Sequence, residues 1–299
     1  MSEEKTHTIW STYIQRSETL HRTRSLRFHD RFMQQLLDIL KFRDGMSILE
    51  VGCGTGAFCF ALKRWLPNSK ITGMDRDTEF IRYAKIKCDE LASECTFIQG
   101  DATALDFPDN HFDATSSHTV LEHVETSKFL SEQYRVLKDN GIFTVLSVID
   151  HLSVGKEMWK AGSEEEKVLW EKVDPYFKDS DKKYKVARYS IDESDLARKM
   201  VKTGFQDVTI NFMVIPLIPD NADNDTVLSK SIIETERQIS LDGVLVAQDL
   251  ALEVLSDVEI ERLKLLINSR FNERIRLYDT GEKIWDISAS VLMIARGIK

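Results

Sequence analysis

No stretch of this 299-residue sequence approaches the ~18 consecutive apolar residues of a membrane span, and residues 1–15 carry acidic side chains where a secretory signal has basic ones. A soluble cytoplasmic protein is expected. Positive charge is also in deficit: 40 basic against 49 acidic residues leave a formal charge of −9, a field that repels phosphate backbones and anionic bilayers. Cysteine is scarce. Cys53, Cys59, Cys88 and Cys95 match no zinc or redox spacing and are too few for a disulfide framework, so neither a metal centre nor a stapled fold is expected. No histidine lies beyond position 151, and there is no internal repeat or low-complexity tract.

What the sequence does contain is alternation. Residues 8–43 place Ile9, Trp10, Tyr13, Leu20, Phe32, Leu36, Leu37 and Leu40 at helical spacing around a basic segment, which predicts two helices. From Met46 strand-like and helix-like segments follow one another: SILEVG, AFCFALKRWL, ITGMD, TEFIRYAKIKCDELA, CTFIQGD, FDATSSH, a helix near 125–138, and GIFTVLSVI after Asn140-Gly141, where the glycine suits a helix exit. Beyond 150 the sequence becomes charged and weakly periodic, with helical signals near 192–202 and a β-rich run, FQDVTINFMVIPLI. A helical insertion over about 226–278 precedes a last β run, IWDISASVLMIAR. The expected fold is α/β: a doubly wound, mostly parallel seven-stranded sheet with an antiparallel edge hairpin, an N-terminal helical cap and a C-terminal helical insertion. The expected divisions are a cap over 1–44, a cofactor-binding core over 45–150, remaining core helices and strand over 151–225, an insertion or lid over 226–280, and a final edge strand over 281–299.

The segment Glu50-Val51-Gly52-Cys53-Gly54-Thr55-Gly56-Ala57 follows an apolar strand and opens a helix, the setting in which glycines let backbone approach a ligand. Gly52, Gly54 and Ala57 also fit a dinucleotide fingerprint, with Asp75 about twenty residues on to take ribose hydroxyls. An NAD(P)-dependent oxidoreductase is therefore one reading of the loop. Glu50 opposes it, because a carboxylate just before the glycines repels a pyrophosphate and attracts an ammonium. A Tyr-x-x-x-Lys pair after a fifth strand is also lacking. Gly100-Asp101-Ala102 places an acceptor where an adenine amino group could donate, and FDATSSHTVLEHV points polar groups at the switch-point crevice.

Together ILEVGCGTG, GMDRD, QGDATALDFPDNHFD, SHTVLEHV and EQYRVLKDNGIF resemble the successive motifs of class I S-adenosylmethionine-dependent methyltransferases, over about 46–149, and within them the small-molecule branch that includes quinone-biosynthesis enzymes. That resemblance implies that Gly52, Cys53, Gly54 and Gly56 line the methionine part of the cofactor while Glu50 anchors its amino group. It further implies that Asp75 takes the ribose hydroxyls, Met74 and Arg76 flank the base, Asp101 and the backbone of Ala102 bond adenine, and His118 closes the methionine end. S-adenosyl-L-homocysteine is the implied product. The N-terminal helices resemble a closing cap, with Trp10, Tyr13 and Arg27 as candidate contacts; the cluster Arg22, Arg24, Arg27 and Arg31 is either an anion site or a solvated basic face. His123 and His151 are the candidate general bases, against the plainer readings of a packed helix-start residue and a loop residue. The expected partner is a small-molecule acceptor, with no nucleic acid or membrane span, and the chain is a monomer or homodimer. Besides the oxidoreductase, a catalytically inactive cofactor-binding module remains an alternative.

Overall fold

The computed structural model describes residues 9–155, 162–184, 189, 193–250 and 254–299. Seven strands form one sheet in the order β3-β2-β1-β4-β5-β7-β6. They are β1 (Ser47–Val51), β2 (Lys70–Asp75), β3 (Cys95–Gln99), β4 (Phe112–His118), β5 (Leu137–Val148), β6 (Gln206–Leu217) and β7 (Ser288–Ile298). The first five run parallel; β7 is antiparallel to both β5 and β6.

The helices are α1 (Ile9–Tyr13), α2 (Ser17–Arg27), α3 (Met33–Leu40), α4 (Ala57–Trp65), α5 (Thr78–Glu90), α6 (Thr126–Val136), α7 (Glu164–Lys183), α8 (Glu193–Thr203), α9 (Thr226–Leu250) and α10 (Asp257–Asp279). Strands buried on both faces read as continuous apolar runs because crossover helices cover each side. On one side Phe28, Phe32, Leu36, Phe58, Leu62 and Ile71 pack with Leu292 and Ile294; on the other Leu49, Val51, Phe129, Phe143, Met200 and Phe205 pack together.

Four expectations are corrected. The 8–43 region forms three helices and a 3₁₀ turn, not two helices, because Arg16 and His29 adopt extended backbone (ψ 152° and 146°) and break the periodic run; residues 1–8 of the expected cap lie outside the described residues. The final strand is not at the edge. β7 inserts between β5 and β6, which suits its buried Leu292-Met293-Ile294-Ala295 core, and β6 takes the rim. The left-handed residue near the end of α6 is Asn140 (φ 62°), not Gly141; the glycine is required because a Cβ there would lie 2.7 Å from the Lys138 carbonyl oxygen. Finally, the charged segment after 150 contains a long helix, α7, which joins the insertion rather than the sheet. Its Leu169 and Val173 share a separate core with Ile233 and Val244 of α9 and Leu263, Ile267 and Phe271 of α10.

That helical unit is anchored in two places. Arg274 of α10, 1% exposed, donates through Nη2 to Asp220 (2.8 Å) and through Nε to Asp286 (2.6 Å), tying the insertion to both ends of the β6–β7 connection. Against the cap, Thr19 and Arg16 bond Asp242 and Asp249 of α9, while Leu26 packs on Leu228 and Ile232. No helix among the described residues is long and apolar enough to cross a membrane.

Candidate functional site

β1 and β2 are adjacent and parallel, so their carboxyl ends bring Glu50 and Asp75 to either side of the glycine loop. The loop is pinned to β2: Gly52 and Cys53 donate their N–H groups to the Met74 carbonyl at 2.7 and 2.9 Å, and Gly54 N–H donates to Asp75 Oδ2 at 2.8 Å. Asp75 Oδ1 accepts from Asp77 N–H at 2.9 Å. Gly52 and Gly54 have φ of 73° and 52°, a region that costs other residues about 1–2 kcal/mol. They also have no room for a side chain. A Cβ on Gly52 would lie 2.2 Å from Val120, and one on Gly54 would lie 2.8 Å from Leu20 of the cap.

The two carboxyls are held in unusual states. Glu50 is 2% exposed, and burial pushes its pKa up to about 8, with the Asp75 charge adding to the rise and a hydrogen bond from the Cys59 thiol (2.9 Å) opposing it. Burial likewise raises Asp75 to about 6 against the two amide bonds it accepts.

The cap closes this end of the sheet. In α1, Ser11 donates through N–H and Oγ to Asp77 at 3.0 and 2.9 Å, and Asp77 also caps α5 by accepting from Glu79 N–H. Tyr83 of α5 donates to Glu18 of α2 at 2.6 Å. Within α2, Arg24 donates to Thr119 Oγ1 at 2.8 Å, and Arg27 Nη1 lies 3.1 Å from His118 Nε2. A guanidinium only donates, so Nε2 accepts and His118 is neutral; burial, then Arg24 and Arg27, hold its pKa well below the usual histidine range. Arg24 itself is pulled down to about 10 by burial against the attraction of Glu122 and Glu50. Of the four arginines expected together, Arg24 and Arg27 face the site, while Arg22 pairs with Glu18 and Arg31 with Asn224.

The two candidate bases lie in different 3₁₀ turns, Leu121–His123 and Asp150–Leu152. His123 packs against Trp10 with ring centroids 4.4 Å apart, and burial, then Arg76 and Arg24, push it down to about 4, leaving a weak base. His151 is exposed in a 3₁₀ turn after β5. Tyr13 stacks on Tyr184 at 4.7 Å and contributes to the wall of the cap. Arg76 sits 6.0 Å from the Trp10 ring. Asp101 is exposed, its Oδ1 already accepting from Thr103 N–H and Oγ1 at 2.7 and 2.8 Å, and Ala102 follows it in the same turn. Sequence reasoning missed Ser11, Asp77, Cys59 and Thr119. Only Asp77 had a readable signal, as the capping residue ahead of Thr78-Glu79-Phe80.

This constellation agrees with what the chain resembles. Residues 42–189 match the methyltransferase domain family. A demethylmenaquinone methyltransferase from Listeria welshimeri is 27% identical over 161 residues, which are 53% of this chain and 67% of that protein. One of the same name from Thermus thermophilus is 30% identical over 139 residues, 46% of this chain and 63% of that protein. Among solved structures, a Haemonchus contortus phosphoethanolamine N-methyltransferase 2 in complex with S-adenosyl-L-methionine shares the fold, with TM-score 0.51 and 18% identity over 91% of this chain. This chain spans about half of that protein, 52%. The strand order, the glycine loop between two strand-end carboxyls and the family match leave no support for the oxidoreductase reading: residues 42–189 belong to the methyltransferase domain family.

Proposed function

We propose that this protein transfers a methyl group from S-adenosyl-L-methionine to a small-molecule acceptor by in-line displacement. The observation that carries the reading is the placement of Glu50 and Asp75 at the ends of neighbouring parallel strands, with the backbone of Gly52, Gly54 and Gly56 between them. The donor set fits the cofactor. Positive φ and close packing exclude side chains at Gly52, Gly54 and Gly56, Thr55 Oγ1 is buried without a hydrogen-bond partner, and the two carboxyls match an ammonium and a pair of hydroxyls.

In this reading Glu50 holds the methionine ammonium, and Gly52, Cys53, Gly54 and Gly56 present backbone to the methionine portion. Asp75 accepts from both ribose hydroxyls, Arg76 lies along the base, and Asp101 with Ala102 recognises adenine. His118 closes the methionine end with its neutral ring held by Arg27, and Tyr13 belongs to the cap. When bound, the cofactor supplies an electrophilic methyl carbon on a sulfonium: the acceptor lone pair forms the new bond, the carbon–sulfur bond breaks, and S-adenosyl-L-homocysteine leaves. The protein's contribution is alignment and exclusion of water. His123, low in pKa and packed on Trp10, is assigned to the wall of the site; His151 is the accessible candidate for carrying off an acceptor proton.

We assign the described residues of the cap (9–44) and of the insertion (226–250 and 254–280) to the roof of the site, with the insertion selecting the acceptor. The negative charge favours a metabolite over nucleic acid, and four free cysteines suit the reducing cytoplasm. Calorimetric titration with S-adenosylhomocysteine, NAD and NADP tests the cofactor assignment. Micromolar binding of S-adenosylhomocysteine alone, lost in Asp75→Ala, is expected; binding of a dinucleotide overturns the reading. Tritiated methyl transfer across an acceptor panel distinguishes an enzyme from an inactive binding module.

A further inference from the structure

The sheet ends in two edges of different character. At one, β3 is five residues long. At the other, β6 runs twelve residues, Gln206–Leu217, with no charged side chain after Asp207. One side of β6 pairs with β7 along its length, whereas its outward N–H and C=O groups have no backbone partner among the described residues. Monomeric proteins usually blunt such edges with lysine, with short strands or with bulges. Here the only interruptions lie at the two ends: a register shift between Gln206 and Thr209, and Pro216, which lacks an N–H.

The strand is also apolar on a face that no described residue covers. Met213 and Ile215 are buried under the cap side, but Phe212 and Val214 on the opposite face are 52% and 56% exposed. Val291, which pairs with Val214, and Val154, which bridges to Ala289 beside Pro216, extend this surface, and Val154 is itself exposed. Patches of this kind on a soluble protein mark interaction sites.

We propose that β6 is a dimer edge, on which a second copy of this chain lays its own β6 antiparallel to form a continuous fourteen-stranded sheet across two copies of the seven-stranded one. Three features favour a second copy. A strand paired antiparallel with itself forms a closed, isologous two-fold contact. A two-fold axis normal to the sheet keeps each face on its own side, so it must pass through a residue position; centred on Phe212, it sets Ile210 opposite Val214 and joins the two apolar faces. Each chain carries a charge of −9, and this uncharged stretch is where two copies can meet without opposing like charges: in this register Asp207 lies opposite Leu217. The proposal is independent of the catalytic reading.

Light scattering coupled to gel filtration between about 1 and 100 μM tests it. A mass of twice 34.4 kDa is expected, falling to the single-chain mass in Phe212→Lys/Val214→Lys with circular dichroism and S-adenosylhomocysteine binding unchanged. A Phe212→Cys variant treated with copper-phenanthroline provides the positive readout, since residues paired across the axis lie about 4.5–5.5 Å apart between Cα atoms. A covalent dimer absent from the wild type supports the contact. A wild-type mass of 34.4 kDa throughout, a dimer that survives the double lysine change, or no cross-link at position 212 overturns it.

Discussion

Glu50 carries the sharpest consequence of the site's electrostatics. In the free protein burial raises its pKa to about 8, so the carboxyl is mostly protonated at neutral pH. An ammonium bound beside it favours the ionised form. If the cofactor binds only that form, its apparent affinity follows the ionised fraction, which for a pKa of about 8 is roughly 1% at pH 6, about 9% at pH 7 and about 50% at pH 8. Affinity for S-adenosylhomocysteine is therefore expected to rise about fifty-fold from pH 6 to pH 8, or ~2.3 kcal/mol, with proton release on binding near pH 7. Titration in two buffers of different ionisation enthalpy reads that proton directly. Asp75, at about 6, adds a smaller dependence at the acid end, so Glu50→Gln isolates the larger one: the rise between pH 7 and 8 and the released proton should both disappear. Stability of the unliganded protein moves the opposite way. The unfolded chain ionises near 4.5 and the folded one near 8, so Glu50's contribution is full below the lower value and is lost as pH rises through the upper one. The unliganded wild type should lose more melting temperature between pH 5 and 8 than Glu50→Gln. A flat wild-type affinity profile, or an unchanged slope in the glutamine variant, refutes the pairing of Glu50 with an ammonium.

Other outcomes follow from the same geometry. Asp75→Ala removes the acceptor of the Gly54 and Asp77 amides and, in the proposed role, two ribose contacts; at about 1.5 kcal/mol or more for each charge-assisted bond, S-adenosylhomocysteine affinity should fall at least a hundred-fold by calorimetry. Gly52→Ala places a methyl 2.2 Å from Val120 at a φ of 73°, so cofactor binding should be lost and denaturant stability should drop by more than the ~1–2 kcal/mol of left-handed strain alone. Arg274→Met strips the counter-ion from buried Asp220 and Asp286 and should cost about 3–5 kcal/mol in chemical denaturation, with the glycine loop unaltered. His151→Ala should lower turnover without moving S-adenosylhomocysteine affinity, whereas His123→Ala should loosen the cap and weaken that affinity; equal effects on both quantities in both variants would contradict the division of roles.

Local pattern by itself determined much of this protein. The alternation from Met46 to Val148 specified five parallel strands with their crossovers, because a strand or helix period is written in neighbouring residues. Glu50, the glycines and Asp75 were legible for the same reason, since each sits at a strand end that the pattern locates. Tertiary structure decided what depends on distant partners. The sequence offered two terminal β segments, but only packing put β7 inside and left the apolar face of β6 at the rim. Helix α7 reads as charged surface until Val173 finds the core of α9 and α10. Ser11 is 66 residues from Asp77, and no local signal joins them. His118 reads as a titratable histidine until Arg27, 91 residues away, donates to it and burial keeps it neutral, because charge state is set by what surrounds a group in space and not by its neighbours along the chain.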